Sequence, residues 1–204
     1  MEYPYIAENI FDCSSCPNPC DGISKGVYIF EDDVELSEYY ERKIIDYIHS
    51  KGVYQAEKTK TDGYPDIEVR NGEGNIKVYI EVKVQQRTFM KISTLLPEAD
   101  LCPSETIALN LSDLKRYFEV YDRTQKPIYV VWVLLKRSCI VGDAGYKVYA
   151  QKIEVLRDIY QDYLEKRKFK RNSGEGDMDD NKHKGVVLNY HFILNDLKPW
   201  DINL

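Results

Sequence analysis

One ten-residue run, Ile76–Gln85, alternates apolar and polar side chains without a break. Successive side chains of a β-strand point to opposite faces, so one face of this run is aliphatic and the other is polar. The aliphatic residues are Ile76, Val78, Ile80, Val82 and Val84, and the polar set is Lys77, Tyr79, Glu81, Lys83 and Gln85. The run predicts a strand whose polar face places a carboxylate, an ammonium and an amide where they can converge on one point.

Length and composition fit one globular domain. The chain has 204 residues, of which 43% are hydrophobic and 30% charged, enough for one well-packed core with elaborations. We divide it into a cysteine-containing N-terminal segment, residues 1–30, and a single domain, residues 31–204. The stretch around 166–185 is charged, contains glycines and is poor in apolar residues, so we expect a flexible loop there.

The net charge limits the kind of nucleic-acid binding that is expected. At −6, the chain has the wrong sign for a protein that coats nucleic acid through its phosphates. An acidic metal pocket beside a local basic strip is compatible with that total. Because no apolar run is long enough for a membrane span and the N-terminus is acidic, we expect no membrane association and a cytoplasmic location.

Periodicity elsewhere in the chain predicts the elements around this strand. A helix from Ser37 to Gly52 has Ser37 as its cap and buries its isoleucines. Two short strands should precede the long one, and a helix should begin near Asn110 or Ser112. The continuous apolar run Ile128–Leu135 is typical of a central strand that is buried on both faces. With a further strand, helix and strand after it, the order predicts an α/β fold, a mixed central β-sheet flanked by helices.

The polar face of the long strand carries groups that phosphodiester hydrolysis requires. The reaction needs an activated water and positive charge beside the phosphate oxygens, which Mg²⁺ or Mn²⁺ held by oxygen ligands supplies. Asp66 and Glu81 can provide carboxylates, and the Val82 carbonyl a further oxygen. Lys83 can orient or deprotonate the water, and Gln85 can position Lys83 or contact the phosphate.

Glu41 is an acidic residue on a helix face that should be buried. By helical spacing it shares the face of Ile44, Ile45 and Ile48. A carboxylate in that position carries a desolvation cost, which binding to a metal ion or a metal-bound water would offset. We therefore include Glu41 in the same candidate site.

The order of these residues resembles the PD-(D/E)xK superfamily of nucleases. The chain has a helix glutamate, then Pro-Asp, then Glu-x-Lys, then a glutamine two residues beyond the lysine; these are Glu41, Asp66, Glu81, Lys83 and Gln85. This order is similar to Holliday-junction-resolvase and RecB-like nucleases and to many restriction enzymes. The resemblance covers roughly residues 37–85. It implies a restriction-endonuclease-like fold, metal ligation by Asp66 and Glu81, catalysis by Lys83 and an accessory Glu41.

The function expected from these residues is an Mg²⁺- or Mn²⁺-dependent deoxyribonuclease, a hydrolase acting on DNA in defence (restriction) or repair. A homodimer is a further expectation, because one active site cuts one strand and paired breaks need two. Taken alone, however, Glu-x-Lys also fits a solvated strand face over an Ile/Val core. The alternative function is a non-catalytic nucleic-acid-binding or assembly module that keeps the nuclease fold.

The N-terminal segment contains three closely spaced cysteines, Cys13, Cys16 and Cys20. Thiolates at this spacing can share one metal ion or cluster, and Cys102 is the leading candidate for a fourth ligand. We hypothesise a structural site at these four residues that holds Zn²⁺ or an iron–sulfur cluster, two options that ligand identity alone does not separate. The alternative is a set of unrelated thiols. Metal analysis of anaerobically purified protein that finds neither zinc nor iron would remove the hypothesis.

Overall fold

A six-stranded mixed β-sheet forms the centre of the protein in a computed structural model that describes residues 30–86, 88–89, 91–170, 178–179, 182–183 and 188–200. The helices are α1 (Phe30–Ser50), α2 (Ile92–Leu95), α3 (Leu111–Thr124), α4 (Ser138–Val141) and α5 (Ile153–Tyr163). The strands are β1 (Gln55–Lys58), β2 (Ile67–Arg70), β3 (Ile76–Gln85), β4 (Thr106–Asn110), β5 (Ile128–Leu135), β6 (Tyr146–Lys152), β7 (Lys168–Lys170), β8 (Met178–Asp179), β9 (Lys182–His183), β10 (Leu188–Ile193) and β11 (Lys198–Pro199). Short 3₁₀ helices occur at Gly142–Ala144, Leu164–Arg167 and Leu194–Asp196.

The strand predicted from the alternating run is β3, with the predicted bounds, and it lies inside the main sheet. The strand order of this sheet is β1-β2-β3-β5-β6-β11. β3 pairs antiparallel with β2 and parallel with β5, which places Glu81 beside Val130 and Lys83 beside Trp132. Seven of the eight residues of β5 are buried, as its continuous apolar run predicts. The predicted α/β class with a mixed central sheet is confirmed.

Helices cover both faces of the main sheet. α1 packs on one face, where Ile44 and Val82 belong to the same buried cluster. On the other face α3 and α5 contribute Leu114 and Ile159 to a larger cluster around Trp132. A smaller sheet of order β4-β10-β7 joins this second cluster. Tyr79 and Glu81, in the middle of the polar face of β3, are buried under these elements, whereas Lys77 at its start is exposed.

The first helix is longer than the sequence predicted. α1 begins at Phe30, and Ser37, the predicted cap, lies inside the helix. Asp33 lies in the first turn of this helix, where a carboxylate interacts favourably with the positive end of the helix dipole. The end of the helix agrees with the prediction, since Gly52 has φ +69° and its amide donates to the His49 carbonyl at 2.9 Å.

The first residues of the predicted loop around 166–185 lie in regular elements of the structure. Lys166 and Arg167 lie in the 3₁₀ helix Leu164–Arg167, and β7 follows directly and pairs with β10. Arg167 is buried and pairs with Asp196 at 2.5 Å, so local packing orders the first part of this basic stretch. Beyond β7, only the paired strands β8 and β9 of the predicted loop are described.

The N-terminal segment 1–30 lies outside the described residues except for Phe30, and its separation from the domain stays a prediction. Within the described part of the chain, no helix is both long enough and apolar enough to span a membrane.

Candidate active site

Asp66 is held at the edge of β3 by the turn that precedes β2. Gly63 lies in this turn with φ +79°, a conformation that glycine adopts without strain. Ile67 pairs with Ile80 in the antiparallel ladder. Asp66, which precedes Ile67, therefore lies beside the residues of β3 that follow Ile80. There the Val82 amide donates to Asp66 Oδ2 at 2.8 Å. The hairpin spacing thus brings Asp66 to the predicted site strand.

Glu81 and Lys83 lie on one face of β3 and form a direct ion pair. Lys83 Nζ is 2.5 Å from Glu81 Oε1, as expected for side chains two residues apart on a strand. The Glu81 residue is 1% exposed, whereas 29% of the Lys83 side chain is exposed. The carboxylate is therefore inside the protein and the ammonium reaches the surface, which excludes the solvated strand face considered above.

Burial sets the protonation behaviour of this group. It raises the pKa of Asp66 and of Glu81 above the usual carboxyl range, although the Lys83 charge opposes the shift at both. At Lys83 burial is the largest single effect and acts to lower the pKa, but the charge and hydrogen bond of Glu81, together with the charges of Asp66 and Asp113, outweigh it and the pKa is raised. Lys83 is therefore an ammonium at neutral pH and contributes positive charge to the site.

The oxygen atoms of this group suit a small divalent cation. Glu81 Oε2 is buried and accepts no well-angled hydrogen bond from the described residues, which leaves it spare ligand capacity. The amide and carbonyl of one strand residue point to the same side, so the Val82 carbonyl faces the edge where Asp66 lies. No three His, Cys, Asp or Glu side chains among the described residues converge as a metal site. Mg²⁺ commonly takes one or two carboxylates and completes its shell with water and phosphate, so the residues present fit it.

Glu41 lies on the sheet-facing side of α1, as its helical spacing predicted. It is 6% exposed, and its Oε2 is 3.0 Å from Lys58 Nζ on β1. Its charge adds to the effect of burial in raising the pKa of Asp66, so the two carboxylates belong to one electrostatic group. The structure therefore brings Glu41 to the same cleft as Asp66 and Lys83.

Gln85 is at the far end of the polar face and contacts a different part of the molecule. Its amide donates to the Ala108 carbonyl at 3.0 Å, and its Oε1 lies 3.4 Å from Arg137 Nη2. These contacts tie β3 to β4. A role of Gln85 toward Lys83 or a phosphate stays a prediction.

α3 adds Tyr117, a residue that the sequence analysis did not include. Tyr117 is 2% exposed and its hydroxyl lies close to the Glu81 carboxylate; burial and that charge raise the tyrosine pKa. On the same helix Asp113 Oδ2 is 3.9 Å from Lys83 Nζ, and Arg116 pairs with Asp113 at 3.0 Å. The spacing of Asp113 and Tyr117 shows that they share a helix face, but nothing local in the sequence indicates which strand that face covers.

The structure describes only one member of the predicted cysteine site. Cys102 is half-buried beside the cluster formed by Ile92, Ala99 and Leu101, with its sulfur 3.5 Å from Ser104 Oγ. Cys13, Cys16 and Cys20 lie outside the described residues. A structural zinc or iron–sulfur site at these four cysteines stays a prediction.

Structure comparison matches the chain to two solved nucleases. Hjc, a Holliday junction resolvase from the archaeal hyperthermophile Archaeoglobus fulgidus, is 13% identical with a TM-score of 0.39, over 77% of this chain and 83% of that one. D212, a nuclease from a fusselovirus, is 11% identical with a TM-score of 0.39, over 81% of this chain and 79% of that one. No protein-family model matches the sequence, and no curated protein gives a significant match.

The two matches have low sequence identity and low TM-scores. At this identity and TM-score they carry no argument about the activity of this chain. The functional conclusion therefore depends on the residues of the site.

Proposed function

We propose that this chain is a divalent-metal-dependent nuclease that hydrolyses phosphodiester bonds of DNA. The observation that carries the proposal is Glu81, a buried carboxylate between Asp66 and Lys83, one oxygen of which has no well-angled hydrogen-bond donor among the described residues. Burying such a group costs free energy unless it binds something. A hard divalent cation is the ligand that two carboxylates and a carbonyl favour.

The residues of the site have separate roles in this proposal. Asp66, Glu81 and the Val82 carbonyl would hold Mg²⁺ or Mn²⁺, which when bound polarises the phosphate and lowers the pKa of a bound water. The Lys83 ammonium reaches the cleft and offers positive charge where negative charge develops on the phosphate oxygens. Glu41, on α1, lines the same cleft and would act as an accessory acid.

The setting of the activity belongs to the same proposal. We place it in the cytoplasm, in DNA defence or repair. Because one site cuts one strand, we propose that cleavage of both strands of a duplex uses a homodimer.

The test is a cleavage panel of double-stranded, single-stranded and branched DNA and RNA, each with Mg²⁺ or Mn²⁺. Lys83→Ala should lower the cleavage rate by about 100-fold or more, the effect typical of removing one group that stabilises transition-state charge. Lys77→Ala is the matched control, because Lys77 is on the same strand but exposed at its start. It should cleave at the rate of the wild type.

Two outcomes would contradict the proposal. Wild-type protein that is inert on every substrate with either metal would favour the non-catalytic nucleic-acid-binding or assembly module. A Lys83→Ala variant that cleaves as fast as the wild type would show that Lys83 has no part in the reaction.

A further inference from the structure

Lys58, on β1, contributes a second ammonium group to the cleft. Its Nζ lies 3.0 Å from Glu41 Oε2 and 3.2 Å from Glu38 Oε1. The Glu41 side chain is almost fully buried, whereas half of the Lys58 side chain is exposed. The lysine therefore reaches in from the surface and covers a buried carboxylate.

This contact lies in the candidate active site itself. Lys58, Glu41, Asp66, Val82 and Lys83 line one cleft between α1 and the main sheet. Nuclease sites with two metal ions place them about 3.5–4 Å apart, held by neighbouring carboxylates. Glu41 is the acid that could hold a second ion beside one on Asp66 and Glu81, and its buried Oε2 is in contact with Lys58.

The local charge favours one divalent ion over two. Among the groups in direct contact, the carboxylates of Glu41, Asp66 and Glu81 and the ammonium groups of Lys58 and Lys83 leave one negative charge, and Asp33 and Glu38 add further carboxylates to the lining of the cleft. The flanking pairs, Glu38 with Arg42 and Asp113 with Arg116, are each neutral. One divalent ion on Asp66 and Glu81 leaves Glu41 to its ion pair with Lys58. A second would add two more positive charges beside two buried or half-buried ammonium groups, which is electrostatically costly.

We propose that Lys58 takes the place of a second divalent cation, so that the cleft binds one metal ion, on Asp66, Glu81 and Val82, with the Lys58 ammonium on Glu41. The inference rests on the proposed metal-dependent function and specifies how many metal ions the cleft binds. Lys58 is thereby a positioning residue for Glu41 and supplies a fixed positive charge on the α1 side of the cleft.

The experiment counts the Mn²⁺ ions bound per chain by isothermal titration calorimetry and by electron paramagnetic resonance of free Mn²⁺. Sites elsewhere on the chain are subtracted with the double variant Asp66→Asn, Glu81→Gln. The wild type should bind one Mn²⁺ in the cleft, and Lys58→Met should bind two. Lys60→Met, which removes the same charge from an exposed neighbour, should bind one. Adding Glu41→Gln to Lys58→Met should return the count from two to one.

Each outcome separates this inference from the function on which it rests. Lys58→Met that folds and still binds one Mn²⁺ would overturn the role of Lys58. A wild type that binds two ions and cleaves DNA would overturn the inference and leave the nuclease proposal intact. A wild type that binds none and cleaves nothing would remove both. The Mn²⁺ count and the cleavage assay of the wild type together decide these last two cases, even if a variant unfolds.

Discussion

At the scale of single residues, the site depends on the surroundings of Glu81. Burial raises its pKa, while the Lys83 charge and the Tyr117 hydroxyl both act to keep it ionised. Asp66 adds a second negative charge nearby, which favours the protonated form. Burial therefore favours the protonated carboxyl group, whereas Lys83 and Tyr117 favour the carboxylate, the form that binds a cation.

Tyr117→Phe removes only the hydroxyl that favours the ionised form of Glu81. The pKa of Glu81 should rise further, so the acid limb of the pH profile of kcat/KM should move to higher pH. On that limb we expect a loss of roughly tenfold, the effect of one hydrogen bond to a charged group, with little change at alkaline pH. Steady-state cleavage rates across pH measure the shift.

Tyr121→Phe is the control for this variant. Tyr121 is four residues along the same helix, but its hydroxyl interacts with Glu154 instead of Glu81. Its pH profile should match that of the wild type. A Tyr117→Phe profile that falls equally at all pH values would mean that the hydroxyl does not act through Glu81.

At the scale of elements, Arg137 links the end of β3, through Gln85, to the start of β4. Its buried guanidinium donates to the Ser104 and Thr106 carbonyls at 2.9 and 2.8 Å and lies against Gln85. These bonds join three segments that are distant in sequence. The link keeps the strand that carries Glu81 and Lys83 in place relative to the smaller sheet.

Arg137→Met keeps much of the side-chain volume but removes these hydrogen bonds. It should lower the free energy of unfolding by about 3 kcal/mol, because buried carbonyls lose charged donors. Urea denaturation measures the change. Arg123→Met, which removes an exposed guanidinium that lies over Tyr64 at 5.1 Å, should cost less than about 1 kcal/mol. Equal losses in the two variants would contradict the structural role of Arg137.

The sequence predicted the elements that local pattern determines and missed those that depend on distant pairing. Alternation was sufficient for the bounds of β3, and helical spacing for the buried position of Glu41. β4 was not predicted, because its partner β10 lies far along the chain and each is short. Tyr117 was missed for a related reason: the site needs the packing of α3 over β3, and no local pattern encodes that packing.

At the scale of the whole molecule, both metal binding and pH should change the free energy of unfolding, because both act on the carboxyl groups of the site. Carboxyl pKa values raised by folding, as at Asp66 and Glu81, mean that the native state holds its protons more tightly than the unfolded chain. The metal-free protein should therefore lose stability as pH rises through the raised pKa values. A cation that binds only the ionised, folded form should reverse this trend.

Thermal denaturation with and without Mn²⁺ at pH 5.5 and pH 8 tests this coupling. At pH 8, Mn²⁺ at 100 times its dissociation constant should stabilise the fold by about 2.7 kcal/mol. At pH 5.5 the increase in Tm should be smaller, because protons compete for the same oxygens. Asp66→Asn should lose most of the increase at pH 8. An equal increase in that variant would place the bound Mn²⁺ elsewhere.

The two lysines of the cleft belong to strands that differ in how easily they open. β3 is bonded on both sides, to β2 and β5, so its amides exchange with solvent only when most of the sheet unfolds. β1, which carries Lys58, is at the edge of the sheet order and pairs with β2. The cleft thus has one rigid wall and one wall that can open locally. We expect a bulky substrate of the proposed nuclease to displace β1 more easily than β3, so that Glu81 and Lys83 keep their spacing.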